Sequence, residues 1–349
     1  MRIPATLLLL SLALVAVRAA IPAESGLGGP NWSWAAAKSA IESVDTGAAL
    51  EELNRMAAAR QDDAVLERIS WLAVRPDWPV PAREYALFSF TRSLAEREPG
   101  TVDRRILQQL SSIRPQVRIP HPDDDRLGMV LFNIPAAASG AASEWRRREA
   151  AHTAAVILSR GTTDWISGYR AGDVLTRQGY LASLDDANIA PLNDLAGAIG
   201  QHIGAQPELA APLARIGIIL ADEERFAQAL GRVPIRDVAQ LTRAAGRTFD
   251  VRQALRILDV LEQSAPAPTT SVVLAELAAT LIQTPKGTER LFALVEDESL
   301  GLTAALALAR HGDEATLQRL AAIASEGQNG PARRAMIALS APRSEASAP

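Results

Sequence analysis

The chain has 349 residues, 66 of them Ala and 43 Leu, and both residue types favour helix. Only 15 positions are aromatic and no long run alternates β-branched with polar residues, so a β-rich fold is disfavoured. A formal charge of −4 gives no electrostatic reason to expect a nucleic-acid partner, and the absence of cysteine excludes disulfides and thiolate metal sites. With 48% hydrophobic and 22% charged residues, the composition predicts an all-α globular protein.

The segment 1–19 has the features of a cleaved signal peptide. Arg2 supplies a positive start, residues 7–17 are apolar except for Ser11, and Val17 and Ala19 are small enough for a signal peptidase. This apolar stretch is too short to cross a hydrocarbon core, which needs about 20 residues. We therefore expect export to the periplasm or the medium, cleavage near Ala20, and no stable membrane insertion afterwards.

The remainder of the chain divides at residues that interrupt helices. Residues 20–31 are rich in Gly and Pro and predict a flexible entry segment, and residues 341–349 predict a disordered tail. In residues 32–114 and 144–340, short apolar blocks at helical spacing alternate with Gly, Pro, Asp or Asn, which predicts N-terminal and C-terminal helical repeats. Residues 115–143 contain four prolines and many alanines, and we expect a connection there that makes the middle of the fold irregular.

Internal repetition is clearest in the last third of the chain. Three apolar blocks follow one another at a constant offset, and two Arg-led blocks with nearly the same offset lie between them, with an earlier Arg-led copy upstream. This alternation predicts repeated pairs of short helices. The first set begins at Val272, Leu302 and Ala332 and aligns Ala275, Ala305 and Ala335, whereas the second set begins at Arg256, Arg290 and Arg319.

Residues 302–339 resemble the HEAT-like family of helical repeats. The resemblance rests on the segments Ala304–Ala309, His311–Glu314 and Pro331–Leu339, and Pro81–Leu87 is similar to another helix start of that kind. It implies an α-solenoid, in which stacked helix pairs bury a continuous core and expose long faces for binding. Together with the signal sequence, it leads us to expect a non-enzymatic scaffold whose partner is another protein of the cell envelope.

The segment Pro120–Asp125 is the sharpest local motif. It resembles the Pro-His-Pro-Asp-Asp-Glu signature of zinc-dependent sugar N-deacetylases, which implies His121 and Asp124 as metal ligands and Asp123 as the base. Asp125 stands where that family has Glu, and no third ligand is recognisable. The alternative is a proline-bounded turn whose carboxylates cap a following helix near Arg126, and we expect this turn.

Other catalytic patterns are missing from the sequence. It contains no Gly-x-Ser-x-Gly elbow and no phosphate-binding or dinucleotide-binding glycine loop, and the acidic pairs at 62–63, 185–186 and 223–224 are typical of helix starts. We therefore predict no catalytic residue, no cofactor and no metal site. Two alternative functions stay open: a metal-dependent, deacetylase-like envelope hydrolase that uses the segment His121–Asp125, and a glycan-binding module that uses aromatic residues, of which 12 of 15 lie between Trp32 and Tyr180.

Overall fold

The structure is a computed structural model that describes residues 30–341. Helices contain 72% of these residues, which confirms the all-α prediction. No helix in the described range is long and apolar enough to cross a membrane. The predicted signal peptide, residues 20–29 of the entry segment and residues 342–349 of the tail lie outside the described residues.

Residues 30–341 form eighteen α-helices and one β-hairpin, and they divide into two compact units between Ala142 and Ser143, inside the sixth helix. The first unit contains α1 (Trp34–Glu42), α2 (Thr46–Ala58), α3 (Asp62–Val74), α4 (Val80–Ala95), α5 (Arg104–Ser112), β1 (Arg118–His121), β2 (Asp124–Val130) and the start of α6 (Ile134–Leu158). The second unit continues with α7 (Thr162–Ala171), α8 (Val174–Ser183), α9 (Ile189–His202), α10 (Ala210–Ile219), α11 (Glu223–Leu230), α12 (Ile235–Ala245), α13 (Val251–Ser264), α14 (Ala267–Leu281), α15 (Pro285–Leu294), α16 (Gly301–His311), α17 (Glu314–Ser325) and α18 (Gly330–Ser340).

Helix α4 is the centre of the first unit. It packs against α1, α2, α3 and α5, and Leu87, Phe90 and Leu94 along it are fully buried. Pro81 is tolerated near its start because the first turn of a helix has no intrahelical acceptor for that N–H. Further large buried side chains of this unit, such as Leu53 and Ile69, come from the helices around it.

The segment 115–143 differs from the expected connection in two ways. Residues Arg118–His121 and Asp124–Val130 pair as an antiparallel hairpin, and Ala136–Ala142 lie inside α6 rather than in a loop. The second difference follows from helix propensity, since alanine is the best helix former. Pro135 occupies the first turn of α6, where its missing N–H removes no intrahelical hydrogen bond. The hairpin depends on contacts with residues distant in sequence, which are described below.

From α10 onward the second unit has two layers. In the first layer α10, α12, α14, α16 and α18 each pack against the next member, and the second layer consists of α11, α13, α15 and α17. The helix pairs α10 with α11, α13 with α14, α15 with α16, and α17 with α18 join the layers. One hydrophobic core runs through this unit from Ala154 to Ala338.

Local sequence explains where these helices begin. Side-chain oxygens accept a backbone N–H at five of their N-termini, which satisfies donors that have no intrahelical partner. The capping residues are Asp222, Asp250, Thr284, Asp313 and Asn329. These five polar residues, which lie between apolar blocks of the sequence, are therefore helix caps.

Burial shows which repeat positions are equivalent. Leu291 on α15 and Leu320 on α17 are both fully buried, as the spacing of the Arg-led blocks predicts. In the first layer, Ala305 and Ala335 are fully buried but Ala275 is exposed. Leu274 is the buried counterpart of Ala305, so the alignment of Ala275 is wrong by one position. Apolar blocks of Ala, Val and Leu fit either alignment, and only the contacts of α14 fix its rotation.

Candidate binding groove

A groove of about 440 Å³ lies between α14, α16 and α18 on the first layer of the second unit. Most of its lining side chains are small or apolar, and the two charged or titratable ones, Arg310 and His311, come from the end of α16. The lining residues, called the small-residue groove below, are Ser271, Val272, Ala275, Thr303, Leu306, Ala307, Ala309, Arg310, His311, Ala338 and Ala341.

Two hydroxyl groups inside the groove are bonded to each other. Ser271 Oγ on α14 and Thr303 Oγ1 on α16 lie 2.7 Å apart, and this bond links neighbouring helices of the first layer. Leu306, one turn further along α16, is 38% exposed. The floor of the groove thus combines small side chains, a hydroxyl pair and one large apolar side chain that is open to solvent.

The end of the groove at the C-terminus of α16 carries positive charge. Arg310 has no carboxylate partner among residues 30–341, and both it and His311 lie in the last turn, where positive charge complements the helix dipole. The pKa of His311 is held below its ordinary value, first by partial removal of the imidazole from water and second by the charge of Arg310. Arg310 therefore supplies the positive charge of the groove at neutral pH.

The second layer has a different chemistry. One arginine from each of α13, α15 and α17 binds a carboxylate on the preceding helix of that layer: Arg256 binds Glu223, Arg290 binds Asp259 and Glu262, and Arg319 binds Glu289. We call these contacts the arginine ladder. The pKa of Glu289 is lowered chiefly by Arg319, and that of Glu223 by hydrogen bonding from Gln253 more than by Arg256. The three Arg-led blocks of the sequence are thus equivalent in the structure.

The motif at 120–125 forms the tip of the hairpin. His121 ends β1, Asp124 begins β2, and the Asp123 backbone N–H donates to His121 Nδ1 at 3.2 Å. Asp124 binds Arg126, which lowers the pKa of that carboxyl. The expected turn is present, but the expectation that it caps a following helix is wrong, because residues 124–130 continue as a strand.

No three His, Asp or Glu side chains within residues 30–341 lie close enough together to hold a metal ion. His121 and Asp124, the ligands that the deacetylase resemblance implies, have no third partner in that range. Of the acidic pairs, 62–63 and 223–224 lie in the first turns of α3 and α11 as expected. The pair 185–186 lies instead in the turn after α8, where Asp185 binds Arg215 at 2.7 Å.

Trp71 is the exposed aromatic residue with the most defined surroundings. It is 43% exposed, but the guanidinium carbons of Arg68 and Arg75 lie 4.1 and 4.3 Å from its ring centroid. Guanidinium groups over an aromatic face gain cation–π energy and occupy the surface that a sugar ring would stack on. Trp71 therefore stabilises the end of α3 through its two arginines.

No sequence motif marks the small-residue groove. Its lining comes from three helices that are separated along the chain by helices of the other layer, and the only trace is a set of small residues spaced along each helix. No family model, curated protein or solved structure matches the chain.

Proposed function

We propose that this protein is a non-enzymatic, HEAT-like α-solenoid scaffold that binds another protein of the cell envelope through the small-residue groove. The observation that carries the proposal is the groove itself, which three consecutive helices of the same layer build together. Alternate helices in two layers over one continuous core are the arrangement that a solenoid requires, and such arrays commonly bind partners along one layer.

The lining determines what kind of segment would fit. Ala275, Ala307 and Ala338 allow the backbone of a partner to approach closely, and Leu306 offers an apolar contact. Arg310, which lacks a carboxylate partner within the described range, would bind an acidic side chain of that segment. The favoured occupant is therefore an apolar segment with an acidic residue at one end.

Site-specific cross-linking tests the groove. A photo-reactive phenylalanine analogue at Leu306 should trap one envelope protein, whereas the same analogue at Ala322, exposed on the second layer, should not. The variant Ala275→Arg should abolish the Leu306 product by filling the groove, and Ala322→Arg should leave it unchanged. Equal products from both positions would refute a role for the groove.

Truncation tests the solenoid. Units that contact only their neighbours should lose structure locally, so deletion of residues 301–349 should lower the helical signal in proportion to the length removed. The remaining chain should keep a cooperative melting transition. Complete loss of helix in the truncated chain would indicate a single globular domain instead.

Export is a separate part of the proposal, supported by the signal-like segment 1–19. N-terminal sequencing of the native protein should start near Ala20, and fractionation should recover the protein in the soluble envelope fraction. Recovery of the intact Met1 terminus in a membrane pellet would replace the cleaved signal with an anchor.

A further inference from the structure

The two edges of the β-hairpin are unequal. On the β1 side, the backbone N–H groups of Asn31 and Trp32 both donate to the Arg118 carbonyl at 3.1 Å. The Arg118 N–H donates in turn to Asn31 Oδ1 at 2.8 Å. Pro120, the next residue to face that side, has no N–H to offer. The β1 edge is therefore closed by residues from the start of the described chain.

The β2 edge is open. The Leu131 N–H donates to the Val117 carbonyl, so these two residues are a hydrogen-bonded pair. Along an antiparallel ladder, hydrogen-bonded pairs alternate with pairs that are not hydrogen-bonded. Ile119 and Met129 are therefore a bonded pair, while Gly128 and Val130 point their N–H and C=O groups away from β1. Neither N–H has a partner among the described residues, and Gly128 O accepts only a long contact of 3.4 Å from Arg118 Nη1.

Apolar side chains extend up to this open edge. Ile119 is buried, its cross-strand partner Met129 is 37% exposed, and Leu127, in the irregular stretch of β2 next to Gly128, is 40% exposed. Natural edge strands are commonly protected by lysine, proline or a bulge. Residues 128–130 contain neither lysine nor proline, and the register irregularity of β2 lies at residues 125–127, towards the tip.

The tip beside this edge is acidic. Asp124 is neutralised by Arg126. Asp125 forms no ion pair within residues 30–341, and the only basic group near Asp123 in that range is the His121 imidazole, 3.8 Å away. An incoming strand thus meets backbone donors and acceptors, then an apolar row, and then two carboxylates at one end that have no arginine or lysine partner within residues 30–341.

We propose that the outer edge of β2 binds an extended peptide segment of a partner by strand addition. The partner segment has apolar side chains at alternate positions, which continue the row from Ile119 through Met129, and a Lys or Arg at the end that lies beside Asp123 and Asp125. Backbone hydrogen bonds to Gly128 and Val130 supply most of the affinity, and the side chains set its direction. This site lies in the first unit and is independent of the small-residue groove.

Peptide binding to two variants at one position tests the proposal. The probe is a fluorescein-labelled heptapeptide of alternating Val and Thr with Lys at both ends, and its affinity is measured by fluorescence anisotropy. Val130→Pro removes the outward N–H without touching the Ile119–Met129 pair, so affinity should fall about tenfold or more. The matched variant Val130→Ala keeps the N–H and should bind within about threefold of the unaltered chain.

Two further measurements test whether misfolding or nonspecific charge attraction explains the affinities. In the unaltered chain, the probe should slow hydrogen exchange of the Gly128 and Val130 amides, while the Met129 amide should be protected with or without the probe. A peptide with Glu in place of Lys should bind about tenfold more weakly, because it meets Asp123 and Asp125.

Three results would overturn the proposal. The first is no saturable binding of the lysine-ended probe up to about 1 mM. The second is equal affinity of the Val130→Pro and Val130→Ala variants, which would place the peptide elsewhere. The third is a concentration-dependent dimer that Val130→Pro abolishes, since it would show that a second copy of this chain occupies the edge.

Discussion

Arg290 on α15 donates through Nη2 to Glu262 on α13 at 2.8 Å, joining two helices of the second layer that are one repeat apart. The same nitrogen lies 3.1 Å from Asp259, so one guanidinium meets two carboxylates. The side chains of Arg290 and Glu262 are about a quarter to a third exposed, so this ion pair is intermediate in exposure between a surface pair and a buried pair. The arginine ladder therefore fixes the spacing of the second layer with contacts that remain sensitive to salt.

A double-mutant cycle measures this contact. Arg290→Ala, Glu262→Ala and the double variant should give a coupling free energy of about 0.5–1 kcal/mol, falling at high salt. Arg247→Ala is the matched control, because Arg247 is exposed and forms no ion pair within the described range, and it should change the free energy of unfolding very little. Urea unfolding of the four chains provides the values, and a coupling of zero at low salt would contradict the ladder.

Glu84 should make the stability of the first unit depend on pH. Its buried carboxylate accepts the N–H groups of Gln116 at 2.5 Å and Val117 at 3.3 Å, and burial is the main cause that raises its pKa. A raised folded-state pKa favours folding below the unfolded pKa, and that contribution is lost as pH rises through the folded value. The free energy of unfolding of Glu84→Gln should therefore fall less than that of the unaltered chain as the pH rises above about 4.3.

A second variant separates the hydrogen bonds of Glu84 from its charge. Glu84→Ala leaves the N–H groups of Gln116 and Val117 without their acceptor, and it should cost about 2 kcal/mol at low pH and less as the pH rises and the unaltered chain loses the contribution of Glu84. Glu67→Ala, on α3, is the control for loss of a carboxylate. Thermal unfolding across pH 4 to 8 checks both expectations, and identical pH profiles for the unaltered chain and Glu84→Gln would contradict the role of burial.

Ala221 adopts a left-handed backbone conformation with φ of 51° in the turn between α10 and α11. This conformation is unfavourable for a residue with a Cβ atom but not for glycine, so Ala221→Gly should stabilise the protein by about 1 kcal/mol. Ala321→Gly, in the interior of α17, should destabilise it by about the same amount because glycine weakens a helix. Opposite shifts in the denaturation midpoint would confirm the turn, whereas destabilisation by both substitutions would contradict it.

The hairpin tip should be structural. His121 and Asp124 lie in a turn with no third ligand in the described range, so the purified chain should contain no stoichiometric zinc by elemental analysis. His121→Ala removes the acceptor of the Asp123 N–H and should cost at most about 1 kcal/mol. His152→Ala, at an exposed position of α6, is the control. One zinc ion per chain, lost only in His121→Ala, would make the deacetylase-like alternative the leading hypothesis.

Much of the second unit could be predicted because its signals are local. Alanine and leucine favour helix wherever they occur, and Asp250, Asp313 and Asn329 mark helix starts by capping them. The Arg-led blocks at Arg256 and Arg290 take comparable places in the structure, because each arginine binds a carboxylate on the preceding helix of its layer. These features act over short stretches or recur at a fixed spacing, so they can be read from the amino-acid sequence alone.

The remaining features arise only on packing, since the forces involved join residues far apart in the chain. The strand at Arg118 is held by Glu84 and Asn31, which are distant in sequence from the backbone N–H groups that donate to them. The rotation that exposes Ala275 and buries Leu274 depends on the neighbours of α14. The small-residue groove exists only where α14, α16 and α18 lie side by side, because the space between helices is a property of their packing and of no single segment.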